Sequence, residues 1–201
     1  MGQYIGGGLI VARNNQQKWK FEFFEKNLPS ELQMKARELL DDNFNQLTIE
    51  QLIAEREKLC SNPFGCLLAI EVEDVIGVLI LFKRQIYYHS EPIILGGLGR
   101  LCVVQEKRKK EAGYILLKIG MEELKKHDCD VAYLCTDSNS ALVELCKKFE
   151  FVPLQKSYTF LGQSGKKYVG DDGMIAPLNS QEKFNLILQT SKTLHIGKGN
   201  W

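Results

Sequence analysis

Apolar and polar positions along this chain fall into blocks that predict the order β-α-α-β-β-β-α-β-α-β-β. Residues 19–25, WKFEFFE, are rich in aromatics and predict a first strand. Two helices follow. Ser30 and Gln33 have the spacing of a capping box, with Leu32, Ala36, Leu39 and Leu40 on one helical face, and Thr48 with Gln51 repeats the device before Leu52, Ile53 and Leu59. Residues 64–71 and 75–85 run apolar around an acidic turn at Glu73-Asp74, as a hairpin does. After a turn at His89-Ser90-Glu91-Pro92, residues 93–104 predict a long strand interrupted by Gly96, Gly97 and Gly99, where a bulge or a close backbone approach is expected. A main helix over 111–126 buries Ile115, Leu116, Ile119 and Leu124. Then come a strand over 130–135, a helix over 141–149 with Ala141, Leu142, Leu145, Cys146 and Phe149 at helical spacing, and strands over 151–161 and 172–178 that close the sheet.

Composition narrows the class. The 201 residues are 44% apolar and 25% charged, enough for one sizeable core, so a single domain over 18–201 behind a flexible leader over 1–17 is expected. A net charge of +1 speaks against nucleic acid or a membrane as partner and makes a small molecule the expected one. The N-terminal apolar run is too short for a signal peptide, and Gly6 stands where a myristoylation motif wants Ser or Thr. Cys60, Cys66, Cys102, Cys129, Cys135 and Cys146 form no C-x-x-C pair and no ligand cluster with histidine. They read as reduced thiols of a cytoplasmic protein without a metal site, and His127 and His195 read as surface residues.

Against that background one charge run stands out. Lys107, Arg108, Lys109 and Lys110 sit directly before the main helix, whose N-terminus already carries partial positive charge, a placement that suits an anion lodged among them. Taken alone, the run is more often a solvated loop. With the strand before it, Gly113 after it and the second block CTDSNSALVELCKKFEFVPL, it resembles the cofactor half of the GCN5-related N-acetyltransferase (GNAT) superfamily. The resemblance implies a GNAT fold: a mixed, mostly antiparallel sheet of about seven strands, splayed at the cofactor site, flanked by about four helices. It implies acetyl-CoA as co-substrate, with Leu101, Cys102, Val103 and Val104 along its pantetheine arm. Arg108, Lys109, Lys110, Glu111, Ala112, Gly113 and Asn139 would contact the rest of it. Glu111 stands where the motif has its first glycine.

The C-terminal third is similar to the aminoglycoside 2'-N-acetyltransferases through the segments around Tyr158, Asp171-Asp172-Gly173 and the Gly199-Asn200-Trp201 ending. That similarity implies Asp171, Asp172 and the Trp201 carboxylate as contacts for a polycationic amine, a role in antibiotic resistance, and a homodimer. It departs at the proton-transfer positions: Gly99 stands where those enzymes carry a Glu and Cys146 where they carry a Tyr. Cys146 is then the candidate acid and Glu91 a replacement base, with His89 and Tyr88 as others. The expected activity is direct acetylation of a small amine such as an aminoglycoside. Binding of a ligand or partner without turnover, and acetylation of a protein or peptide amine, stay open as alternatives.

Overall fold

The computed structural model describes residues 4–5, 8–14, 19–25, 27–44, 49–59, 62–108, 111–137 and 141–201. In chain order, β1 (Tyr4–Ile5) and β2 (Gly8–Asn14) lead antiparallel into β3 (Trp19–Phe24). Helices α1 (Ser30–Phe44) and α2 (Ile49–Lys58) follow. Gln33 N donates to the Pro29 carbonyl, so α1 starts one residue before the place that a Ser30 cap would give it. Strand β4 (Gly65–Glu71) then pairs with β5 (Asp74–Tyr88), and β5 with β6 (Glu91–Val103). His89 and Ser90, at φ 51° and 66°, form the β5–β6 turn with both residues left-handed, the sense that matches strand twist.

Helix α3 (Ala112–Lys126), β7 (Val131–Cys135), α4 (Ala141–Lys147) and β8 (Val152–Pro153) come next. Residues 151–161 do not form the single strand that their apolar pattern suggests. Pro153 lacks a donor for the ladder and Gln155 turns at φ 53°, so the chain leaves the main sheet. It forms instead β9 (Tyr158–Leu161), β10 (Lys167–Gly170) and, after β11 (Gly173–Pro177) and α5 (Gln181–Gln189), β12 (Leu194–Lys198). Helix α5 is not among the expected elements; Ser180 caps it, accepting from Lys183 N at 3.2 Å, ahead of buried Phe184 and Ile187.

The main sheet runs β1-β2-β3-β4-β5-β6-β7-β11-β8; β6–β7 is its one parallel pair among the described strands, and a second sheet runs β10-β9-β12. On one face of the main sheet α3 packs through Leu116 and Leu124 onto Leu79, Leu81 and Leu98. The other face is divided. Helix α1 covers Leu68, Val78 and Cys102, while the second sheet and α5 cover Phe82, Tyr133 and Ile175. Half-buried Ile80 packs against both clusters and marks their border.

Candidate functional site: a splayed strand pair and the cleft beside it

Strand β6 carries the geometry that matters. Val78 pairs with Cys102 and Ile80 with Gly99, so Arg100 and Leu101 together face Leu79, and Arg100 takes φ 58°. This is a bulge, one residue beyond the glycines where it is expected from the sequence. Its consequence is that Gly99 and Arg100, successive in the chain, lie on the same sheet face: Gly99 toward Phe82, Arg100 into a cavity beneath α1. The glycines have a different cause. A Cβ on Gly97 would stand 2.1 Å from the Trp201 indole, and one on Gly96 would meet Leu124 and Cys129. Beyond Gly97, the last residue of β6 paired to β7, the two parallel strands separate.

Past the splay, β6 leads to a short 3-10 turn over Gln105–Lys107 and the start of α3. Here the basic run is only partly as expected. Lys107 pairs with Glu71 at 2.5 Å, and Arg108 turns back on the protein, its Nε donating to the Val103 carbonyl at 3.0 Å and its other nitrogen to Asn43. Lys109, Lys110 and Asn139 lie outside the described residues, as does Cys60. Glu111 is the N-cap of α3 at φ 62°, ψ −18°, with no side-chain capping bond. The backbone thus takes the left-handed shape that suits the motif's glycine while the residue is Glu. Ala112 is buried, and Gly113 has room: a Cβ there would meet nothing closer than 3.8 Å.

The structure places the expected acid in the core and the expected base at the hairpin end of β6. Cys146 lies in the core against α3, and burial pushes its thiol up to about 12. Glu91 pairs with Tyr88 at the far end of the hairpin, roughly 20 Å along the strand from the splay at ~3.3 Å per residue. Tyr88 itself is buried there, bonded to Thr190 and Lys192. His195 is exposed, as expected, whereas His127 is half-buried. His127 rests on Phe64 with centroids 4.6 Å apart, and His195 bonds Thr159 at 3.1 Å.

The acceptor-end residues converge more closely. Trp201 is buried, stacked on Phe82 at 5.7 Å between centroids, with the Arg84 guanidinium 4.9 Å from its ring. Its main-chain carbonyl carbon lies 3.1 Å from where a Gly99 Cβ would be, and its carbonyl oxygen accepts from Cys135 Sγ at 2.9 Å. Asp171 and Asp172 are exposed; Asp172 accepts from the Tyr158 hydroxyl at 2.6 Å, and Tyr158 accepts from Asn200 at 3.0 Å. Burial, reinforced by Asp172, raises Tyr158, and burial pushes Cys135 up to about 12. Tyr133 and Cys135 were findable, since alternation in VAYLC puts them on one face. Arg100 was not, because nothing local marks a left-handed arginine.

No protein-family model matches the sequence, and no curated protein does. Solved structures do. A probable N-acyltransferase from Enterococcus faecalis V583 is 20% identical with a TM-score of 0.53, over 69% of this chain and 34% of that one. A GCN5-related N-acetyltransferase from Anabaena variabilis is 15% identical, TM-score 0.53, again over 69% and 34%. The NatC complex bound to Gag peptide and CoA matches at 16% and 0.54, over 79% and 98%. The chain thus spans about a third of the length of the first two. The architecture is the GNAT fold, with seven strands, β3–β8 and β11, as its sheet and β1 and β2 extending one edge. Among the described residues there are five α-helices where about four are expected.

Proposed function

We propose that the protein transfers the acetyl group of acetyl-CoA directly to the amine of a small molecule. The observation that supports this reading is the separation of β6 from β7 beyond Gly97, next to a helix start without a side-chain cap. A strand edge without a neighbour offers amide groups to a pantetheine arm, which suits Leu101, Cys102, Val103 and Val104. The first turn of α3, with Ala112 and Gly113, offers amides and partial charge to a diphosphate, helped by Arg108, Lys109, Lys110 and Asn139. Glu111 opposes that anion with its own charge. In direct transfer a neutral amine attacks the thioester, backbone N–H groups steady the oxyanion, and the thiol leaves protonated.

Aminoglycosides belong to the acceptors to be tried, through Asp171, Asp172 and Trp201. The exposure of both aspartates fits a small cation better than a peptide. A homodimer and a cytoplasmic setting belong to the same proposal; light scattering checks the first. Binding without turnover is the second reading, favoured by Gly99, Glu111 and the buried Cys146. The deciding experiment incubates the protein with acetyl-CoA and an amine panel and reads products by mass. An acetylated amine supports transfer, whereas tight acetyl-CoA binding with no product from any amine leaves binding alone.

A further inference from the structure

The two halves of the divided sheet face differ in character. Between α1 and the border at Ile80 lies a cavity of about 470 Å³, within the usual range for small-ligand sites. Phe24, Leu28, Ala36, Leu40, Val78 and Ile80 line it, all buried or half-buried. Its acids, Glu25 and Asp41, are exposed and share the rim with Arg37, and half-buried Arg100 has a partner of its own. Among the described residues the only buried side-chain nitrogen or oxygen without a hydrogen-bond partner is Trp201 Nε1, and it lies in the other half of the face. That second-sheet half is the polar one, with Asp171 and Asp172 exposed and Asp172 bonded to Tyr158. The cavity meets β6 at the bulge: Arg100 lines it, and Leu101, the next residue, belongs to the stretch of β6 beyond its pairing with β7.

Resting on the transferase reading above, we propose that the donor is not confined to acetyl-CoA: the cavity takes the chain of a longer saturated acyl group, such as butyryl or hexanoyl, carried as its coenzyme A thioester. The thioester lies at the β6 bulge and the chain runs beneath α1 over Val78 and Ile80. The second-sheet half, with its exposed aspartates, is left to the amine. The methyl of an acetyl group fills little of this space, and apolar walls around a void lack the contacts that close packing gives. Methylenes supply those contacts and carry no polar atom to desolvate, whereas a sugar or a charged acyl end placed there loses its hydrogen bonds to water without replacement. Each further methylene buried is worth about fourfold in affinity. The step is otherwise that of acetyl transfer: the C–N bond forms as the C–S bond breaks, the amine gives up one proton and the thiolate takes one up, which leaves an amide and free coenzyme A.

The test titrates the protein calorimetrically with acetyl-, butyryl-, hexanoyl- and succinyl-CoA, beside transfer assays read by mass. Hexanoyl-CoA is expected to bind tighter than acetyl-CoA by about tenfold or more, with butyryl-CoA between them. Succinyl-CoA, which has the chain length of butyryl and a charged end, is expected to gain nothing over acetyl-CoA. Leu40→Trp, from a half-buried helix position, and Ala36→Leu, from a buried one, narrow the cavity and are expected to remove most of the hexanoyl advantage while acetyl-CoA affinity holds. Melting curves confirm that the variants are folded, and the chain-length series on the parent protein decides without them. If hexanoyl-CoA binds within about twofold of acetyl-CoA, or if both folded variants leave its advantage intact, the inference falls while the transferase reading stands. Succinyl-CoA binding tighter than butyryl-CoA overturns it as well. If no thioester binds, the transferase reading itself falls and this inference with it.

Discussion

At the scale of single residues, two positions show how backbone geometry and side-chain identity pull apart. Glu111 holds a left-handed conformation at the head of α3 and makes no side-chain capping bond to offset its cost. Glu111→Gly is expected to stabilise the fold by about 1 kcal/mol, the usual cost of that conformation for a residue with a Cβ. In a domain of this size that amounts to a melting rise of about 2–4 °C. The same change removes a negative charge from the helix start, so coenzyme A affinity is expected to rise with it; titration of both proteins checks this. Gly97 shows the converse. Its missing Cβ is what admits the Trp201 ring, and Gly97→Ala is expected to cost about 1–3 kcal/mol by overpacking. The accompanying sign is a red shift of tryptophan emission as the indole leaves Phe82.

Among elements, the second sheet depends on contacts distant in sequence. Glu57 of α2 accepts from Ser164 Oγ at 2.5 Å and from Ser164 N at 3.1 Å, tying the helix end to the β9–β10 turn. The same region is joined to the C-terminal tail, where Asn200 N donates to the Lys58 carbonyl at 2.7 Å. The Ser164 hydrogen bonds, with Lys198 and Lys166 nearby, hold the Glu57 carboxyl below its ordinary range. A depressed carboxyl adds stability above its unfolded pKa, and the increment is lost as pH falls through the folded value. Glu57→Ala is therefore expected to melt lower than the parent at neutral pH, with the gap narrowing on acidification; paired melts across pH 3 to 7 measure it. Arg84 plays a similar part on β5, donating to the carbonyls of Ile196, Lys198 and Gly199 and so holding the tail against the sheet.

Over the whole molecule, the proposed function makes a simple thermodynamic demand. Ligand at a hundred times its Kd stabilises the folded state by about 2.7 kcal/mol, which in a domain of this length is a melting shift of roughly 5–10 °C. Acetyl-CoA is expected to give such a shift, and a thermal scan that shows none at millimolar concentration removes the transferase reading. Acid-base chemistry is not expected to come from the described cysteines: burial pushes Cys66 and Cys146 up to about 12 and Cys102 and Cys129 up to about 11. These four thiols are expected to react slowly with a thiol reagent at pH 8 until the chain unfolds, a difference that a timed labelling experiment resolves.

The order of elements from β3 to α4, the long β5–β6 hairpin and the frame of β6, α3 and β7 were legible in the chain itself, because each depends on periodicity and turn chemistry within a few residues. The second sheet was not. Residues 151–161 carry a strand pattern throughout, and only the competition among Pro153, β10 and β12 decides where the strand stops and which partner it takes. The basic run at 107–110 shows the same limit, since Lys107 and Arg108 found Glu71 and Asn43, partners far away in sequence. So too with the candidate site. The glycines of β6 announced a close approach, but that Trp201 makes it, and that Arg100 lines a cavity under α1, follows from packing between segments far apart in the chain. Local patterns are set by the chain's own stereochemistry; which side chains meet across a cleft is set by how whole elements bury their apolar faces together.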